Sequence, residues 1–260
     1  MELRAAFSLL LVLGLGLSCA EEGIDHDTAK EEDLTTVIMR MNNGSDGYLL
    51  EGDMVIPTKR NAMQCSNAKY SCLWQRGASG YVEVPFVMSN DYDDTEKSVI
   101  YAAMNEFRDK TCIRFVPRRG EIAYLSIQSR LGCSSFVGRI GDIQVVSLQR
   151  NGCVQRGIVE HELMHALGFY HEHTRADRDN YISIKWDNIA SYNQYNFVKQ
   201  DSDYLNTPYD YTSVMHYGKT AFANPGTESI IPIPDPKVPI GQRVTMSQID
   251  LLRIKRLYKC

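Results

Sequence analysis

The 260-residue sequence has no long basic run, and its net charge is only −4, from 28 Lys and Arg against 32 Asp and Glu. A nucleic-acid partner is therefore not expected, since that needs a dense basic surface. Past the first twenty residues no apolar stretch is long enough to cross a bilayer, so no membrane anchor is expected. There is no internal repeat and no low-complexity tract. Histidine is scarce, with six in the whole chain. What remains is ordinary for a soluble globular protein: 43% hydrophobic and 23% charged residues, enough for a sizeable core.

The start of the chain has the form of a secretory signal. Arg4 gives a positive n-region, Phe7 to Leu17 an apolar h-region, and Ser18-Cys19-Ala20 the small residues read by a signal peptidase. Residues 1–20 are thus expected to be removed, and the product to be secreted and extracellular, with storage in secretory granules compatible with that route. Cysteine usage agrees. Cys19 leaves with the signal, and Cys65, Cys72, Cys112, Cys133, Cys153 and Cys260 remain. An even number of cysteines in an oxidising compartment predicts three disulfides, but spacing alone does not choose among the pairings.

Residues 21–60 differ in composition from residues 61–260. They hold ten acidic residues against four basic ones (Lys30, Arg40, Lys59 and Arg60), with no cysteine and Tyr48 as the only aromatic. Asn43-Gly44-Ser45 is a glycosylation sequon and a turn signal. Pro57-Thr58-Lys59-Arg60 offers a basic cleavage site. The segment reads as an acidic propeptide cut by an activating protease, leaving residues 61–260 with 23 basic and 21 acidic residues, a charge of about +2.

The first part of that body reads as helices and strands mixed. Glu96 to Lys110 is amphipathic at helical spacing through Val99, Ile100, Ala103, Met104 and Phe107. Short β-rich runs at Ile113–Val116, Tyr124–Gln128 and Gln144–Leu148 predict strands. Gln155 to Leu167 predicts a helix ending near Gly168. The second part is richer in turns and aromatics and ends in a predicted helix over Met246–Tyr258, with Thr245 and Gln248 spaced as a capping box.

The chemistry concentrates in His161-Glu162-Leu163-Met164-His165-Ala166-Leu167-Gly168-Phe169-Tyr170-His171. On a helix, His161 and His165 project from one face and can share one metal ion. Glu162 adjoins the first ligand, so its carboxylate can reach a water at the metal and act as general base. Gly168 tolerates positive φ, so the chain can turn sharply and bring His171 back as a third ligand. Of five histidines in residues 61–260, four fall between His161 and His173. A histidine on a helix is usually an ordinary packed or surface residue, but this clustering with Gly168 favours a zinc site.

This extended pattern resembles the metzincin superfamily. His171-Glu172-His173-Thr174-Arg175-Ala176-Asp177-Arg178-Asp179 and Ser213-Val214-Met215-His216-Tyr217 resemble the signature and Met-turn of its astacin family. The similarity runs from about Asp53 to Cys260. It implies an α+β fold of two subdomains: a twisted, mostly parallel sheet with helices in the N-terminal half, an irregular C-terminal half with a terminal helix, and a cleft between them. It implies a zinc endopeptidase with one Zn2+ per chain. Met215 would form an apolar floor under the imidazoles, Tyr217 would stabilise the oxyanion, and Glu172 would be buried and bonded to the new N terminus made by activation. Leu50-Glu51-Gly52-Asp53-Met54 resembles the family's aspartate switch, with Asp53 on the zinc of the zymogen. The resemblance also pairs Cys112 with Cys260 and Cys133 with Cys153. Cys65 and Cys72, an extra pair near the expected terminus Asn61, resemble the six-cysteine fish hatching enzymes.

No EGF-like or CUB module is recognised before Cys260, so signal, propeptide and catalytic domain are the expected parts, working as a monomer. Phe136 and its neighbours near Cys133 are expected to form the edge strand for an extended substrate. The expected substrate is extracellular protein, egg-envelope glycoprotein foremost. Matrix or other extracellular targets are the alternative, and a catalytically silent zinc module that binds protein is a third reading. Glu162 and Tyr217 argue against the silent module, which has no use for them.

Overall fold

The computed structural model describes residues 32–44, 49–55, 72–242 and 244–260. The expected signal, Asn61 and Cys65, and hence the Cys65–Cys72 pair, lie outside the described residues. No described helix is long and apolar enough to cross a membrane.

In chain order the elements are α1 (Leu34–Asn42), β1 (Leu49–Leu50), β2 (Met54–Val55), β3 (Val82–Met88), α2 (Asp94–Lys110), β4 (Ile113–Pro117), β5 (Tyr124–Gln128), β6 (Cys133–Phe136), β7 (Ile143–Leu148), α3 (Arg156–Ala166), β8 (Ile182–Ile184), β9 (Ile230–Pro232) and α4 (Gln248–Tyr258), with short 3-10 turns between α3 and β9. Seven strands form one sheet in the order β1-β2-β6-β7-β5-β3-β4. Pairings β3–β4, β3–β5, β5–β7 and β2–β6 are parallel, while β6–β7 and β1–β2 are antiparallel. This is the mixed, mostly parallel sheet of the expected α+β fold. The C-terminal half is irregular apart from the β8–β9 pair and α4.

Helix α2 begins two residues before its predicted start, because Asp93 caps it and Glu96 returns the bond to the Asp93 backbone. Strand β3, not anticipated, runs through Pro85. Proline is tolerated there because pairing with β5 begins only at Phe86, so no ladder bond to β5 is lost. The expected cap of α4 is corrected: Ser247 and Asp250 form the capping box. Thr245 instead donates its hydroxyl to Glu160, at 2.9 Å.

Helix α3 is buried from Gly157 to Ala166 on every side, which explains its weak amphipathicity. It lies in the main core with Ile100, Phe107, Ile127 and Leu148, and α4 joins that core through Leu251, Ile254 and Tyr258. The Cys112–Cys260 disulfide ties the end of α4 to the start of β4, and Cys133–Cys153 links the start of β6 to the loop before α3. A second apolar cluster holds Ile182, Phe197, Tyr209, Tyr217 and Ile230 of the C-terminal half. The metal motif sits where the two clusters meet.

Strand β6 is not a free edge here. β2 lies along it, with Met54 opposite Ser135 and Val55 opposite Phe136. Nor is the acidic segment structureless: α1 buries Leu34, Val37, Ile38 and Met41 against the body.

Candidate metal centre

His161 and His165 stand one turn apart on α3. The helix stops at Leu167, and Gly168 at φ +103° reverses the chain toward His171. His171 starts the next turn, anchored by Glu172 N–H donating to the Met215 carbonyl at 2.9 Å.

Asp53 completes a buried group with these three histidines that could hold a metal ion. Asp53 Oδ2 lies 3.0 Å from His161 Nε2 and 3.2 Å from His171 Nε2, and its Oδ1 lies 3.4 Å from His165 Nε2. His161 Nε2 is 3.1 Å from His165 Nε2 and 3.2 Å from His171 Nε2. Ligands about 2.0–2.1 Å from a tetrahedral zinc would be about 3.3 Å from one another, so the spacing fits.

The proton count fits as well. Each Nδ1 faces an acceptor: the Val214 carbonyl for His161, the Phe169 carbonyl for His165 and the Glu51 carboxylate for His171, at 2.8, 2.8 and 2.7 Å. With Nδ1–H donated outward, the Nε2 lone pairs of neutral rings converge on one point. Lone pairs at that separation repel unless a cation lies between them. Asp53 Oδ1 and both oxygens of Glu162 are buried with no hydrogen-bond partner. Buried charge of this kind demands a counter-charge. The residues therefore fit zinc, which His161, His165, His171 and Asp53 would hold.

Electrostatics follow from crowding. Burial, reinforced by Asp53, holds the Glu162 carboxyl well above the usual carboxylate range. Burial pushes the His165 imidazole down to about 4. Burial also works to lower His171, but without a metal charge Asp53 and Glu51 outweigh it and lift that imidazole to about 9, so the neutral ring that a ligand must be is reached only when a cation replaces its proton. Burial, with Asp53 and Glu51 nearby, keeps the Tyr217 phenol well above its usual range, and so a neutral donor.

Tyr217 is buried and stacks on His173, with ring centroids 3.7 Å apart, and its ring centroid lies 4.7 Å from that of His171. Its hydroxyl donates to the Glu51 carbonyl rather than facing open space. Met215 is buried in the same turn, between Val214 and His216. His216 is fixed at both nitrogens, by the Tyr209 hydroxyl at 2.8 Å and the Tyr217 carbonyl at 2.7 Å.

Glu172 is buried, and its partners here are Arg253 (2.5 and 2.8 Å), Arg175 (3.1 Å) and the Asp210 N–H (2.8 Å). It lines a cavity of about 260 Å³ together with Gly168, Tyr170, Asp203 and Arg253. The N terminus expected to meet it lies outside the described residues.

Sequence reasoning named the four residues that the structure brings together but missed Glu51, Gln200 and Arg253. Glu51 lies inside the switch motif, yet nothing in its type marks it as a partner of His171. Gln200 Nε2 holds the other Glu51 oxygen at 2.7 Å, across 149 residues that no local pattern spans.

Residues 71–259 match the peptidase family described as Astacin. The chain is 52% identical over 271 residues to low choriolytic enzyme of Oryzias latipes, covering all of both chains. It is 52% identical to high choriolytic enzyme 1 of the same fish, over 88% of this chain and 84% of that one. The solved structure of high choriolytic enzyme 1, titled a hatching enzyme zinc-protease from medaka, matches with a TM-score of 0.72 at 51% identity, over 77% of this chain and all of the other. A structure of myroilysin shares the fold at 16% identity and a TM-score of 0.52, over 74% of this chain and 97% of that one.

Proposed function

The chain belongs to the astacin family of zinc metalloendopeptidases, and from that premise we propose that it is secreted as a latent enzyme that digests egg-envelope proteins at hatching. Residues 1–20 are its signal, 21–60 its propeptide and 61–260 its catalytic domain. One observation carries the latency: Asp53 lies within 3.0–3.4 Å of all three ligand nitrogens, where an attacking water would need to sit.

Zinc supplies Lewis acidity, which makes a water acidic near neutral pH and polarises a peptide carbonyl. The residues do the rest. Glu162 takes the proton of the attacking water and passes it to the leaving amine. Tyr217, freed from the Glu51 carbonyl, donates a hydrogen bond to the developing oxyanion without adding charge. Met215 floors the site and Gly168 sets the turn to His171. Once residues 49–55 leave, the backbone groups of β6 become an open edge along which an extended substrate can pair. The new N terminus then reaches toward Glu172 through the cavity beside it.

The egg-envelope substrate is supported by the choriolytic names of the relatives. Another extracellular protein target is the alternative.

The test compares the uncut and trypsin-cut chain on casein, with and without a zinc chelator. Chelator-sensitive cleavage by the cut chain alone is expected. Isolated egg envelopes are then incubated beside collagen and gelatin. Preferential attack on envelopes supports the hatching role, and equal attack on gelatin removes it.

A further inference from the structure

Helix α1 reaches from the C-terminal half to strand β6. At its start, Leu34 N–H donates to the Gly241 carbonyl at 3.1 Å, and Gly218 N–H donates to the Thr35 hydroxyl at 3.0 Å. At its end, the Asn42 side chain takes the Cys133 N–H and gives to the Cys133 carbonyl, each at 2.7 Å, as a neighbouring strand would. Between these ends, Leu34, Val37, Ile38 and Met41 fall at helical spacing on the main core.

The body is shaped to this helix. A Cβ at Gly218 would come 2.3 Å from Asp33 Oδ1, one at Gly152 2.4 Å from Met41 Sδ, and one at Gly132 1.8 Å from Asn42 Oδ1. Gly152 and Gly218 lack the positive φ that would call for glycine, so their smallness serves the close approach. A nine-residue helix is marginal alone in water, so its order here comes from this seat.

Cutting after Arg60 severs a tether but breaks none of these contacts. The segment loses only the high effective concentration of a linked ligand. We propose that the mature enzyme carries a helix-binding surface beside its metal centre, and that its occupant is the excised 32–55 segment, which binds there in trans. Release of activity then requires dissociation or destruction of that peptide as well as the cut. This rests on the latency reading under Proposed function.

The test uses trypsin-cut full chain, purified from its propeptide, with a short quenched peptide substrate. Synthetic 32–55 and 45–55 share Asp53 and differ by α1. The surface predicts inhibition by 32–55 at a concentration at least about tenfold lower than by 45–55. Leu34→Asp with Ile38→Asp in the longer peptide should erase that gain. An enzyme made with Gly152→Val should lose it too, and Met41→Ala in the peptide should restore it, while turnover without peptide stays unchanged. Equal inhibition by the two peptides overturns the proposal, as does full inhibition by the double-Asp peptide. An uncut chain as active as the cut one would instead overturn latency, and the peptide comparison would still report on the surface.

Discussion

The Glu51 carboxylate meets His171 Nδ1 at 2.7 Å, so a residue of the acidic segment orients one of the three clustered histidines of the body. Glu51 adopts φ +51° and Gly52 φ +83°. Two successive left-handed residues bend the chain so that Glu51 and Asp53 flank the cluster. A non-glycine residue in that region is strained and persists only where its surroundings hold it. Here the hold comes from His171, Gln200 and Tyr217.

Carboxylates behind metal-bound imidazoles tune affinity by about 10–100-fold. Glu51→Gln is therefore expected to loosen zinc in the uncut chain by about that factor, measured by competition with a chelator. The cut enzyme, once purified from the excised segment and so without Glu51, should hold zinc as the wild type does. A loss of the same size in both forms would place the effect elsewhere.

Tyr217→Phe keeps the ring on His173 and removes the hydroxyl. The cut variant should lose about 10²–10³ in kcat, the worth of one oxyanion donor, with KM and zinc content little changed. An unchanged kcat would show that the phenol does not act in the reaction.

Arg253 meets both oxygens of Glu172, and both side chains are buried. Burial raises the Glu172 carboxyl while Arg253 and Arg175 oppose that rise. Arg253→Met leaves the carboxylate with only Arg175 and the Asp210 N–H, both on one oxygen, and should cost up to about 3–5 kcal/mol, read by denaturant unfolding. Adding Glu172→Gln should recover part of the loss. No recovery would mean that the cost is one of packing and not of charge.

Burial pushes the His216 imidazole down to about 4 from an ordinary 6.5. The unfolded chain binds a proton there that the folded chain refuses. Stability from this group is complete above pH 6.5 and is lost as pH falls toward about 4, at up to about 1.4 kcal/mol per unit. Unfolding free energies measured at pH 7 and pH 5 should therefore differ less for His216→Gln than for the wild type. Equal differences would remove His216 as a cause.

The histidine spacing was legible because a helix fixes it: His161 and His165 need only their own turn, and Gly168 marks where it ends. Strands β5 and β7 were legible by composition. What was hidden depends on distant partners. Helix α1 is short, and its apolar face has meaning only against the body. Strand β3 carries Pro85, harmless only because its pairing with β5 starts one residue later. The α4 cap shifted because Thr245 is drawn to the buried Glu160, and Arg253 reads as a surface charge until Glu172 lies beside it.

In the proposed mechanism three histidines hold zinc and Glu162 moves the proton, and the Glu162→Gln variant tests this division of labour most directly. The cut variant should bind one zinc per chain with wild-type affinity, while kcat/KM on a peptide falls by about 10²–10⁴. Zinc bound normally with turnover undiminished would contradict the assignment of the base. Turnover lost only because zinc is lost would contradict the separation of ligands from base.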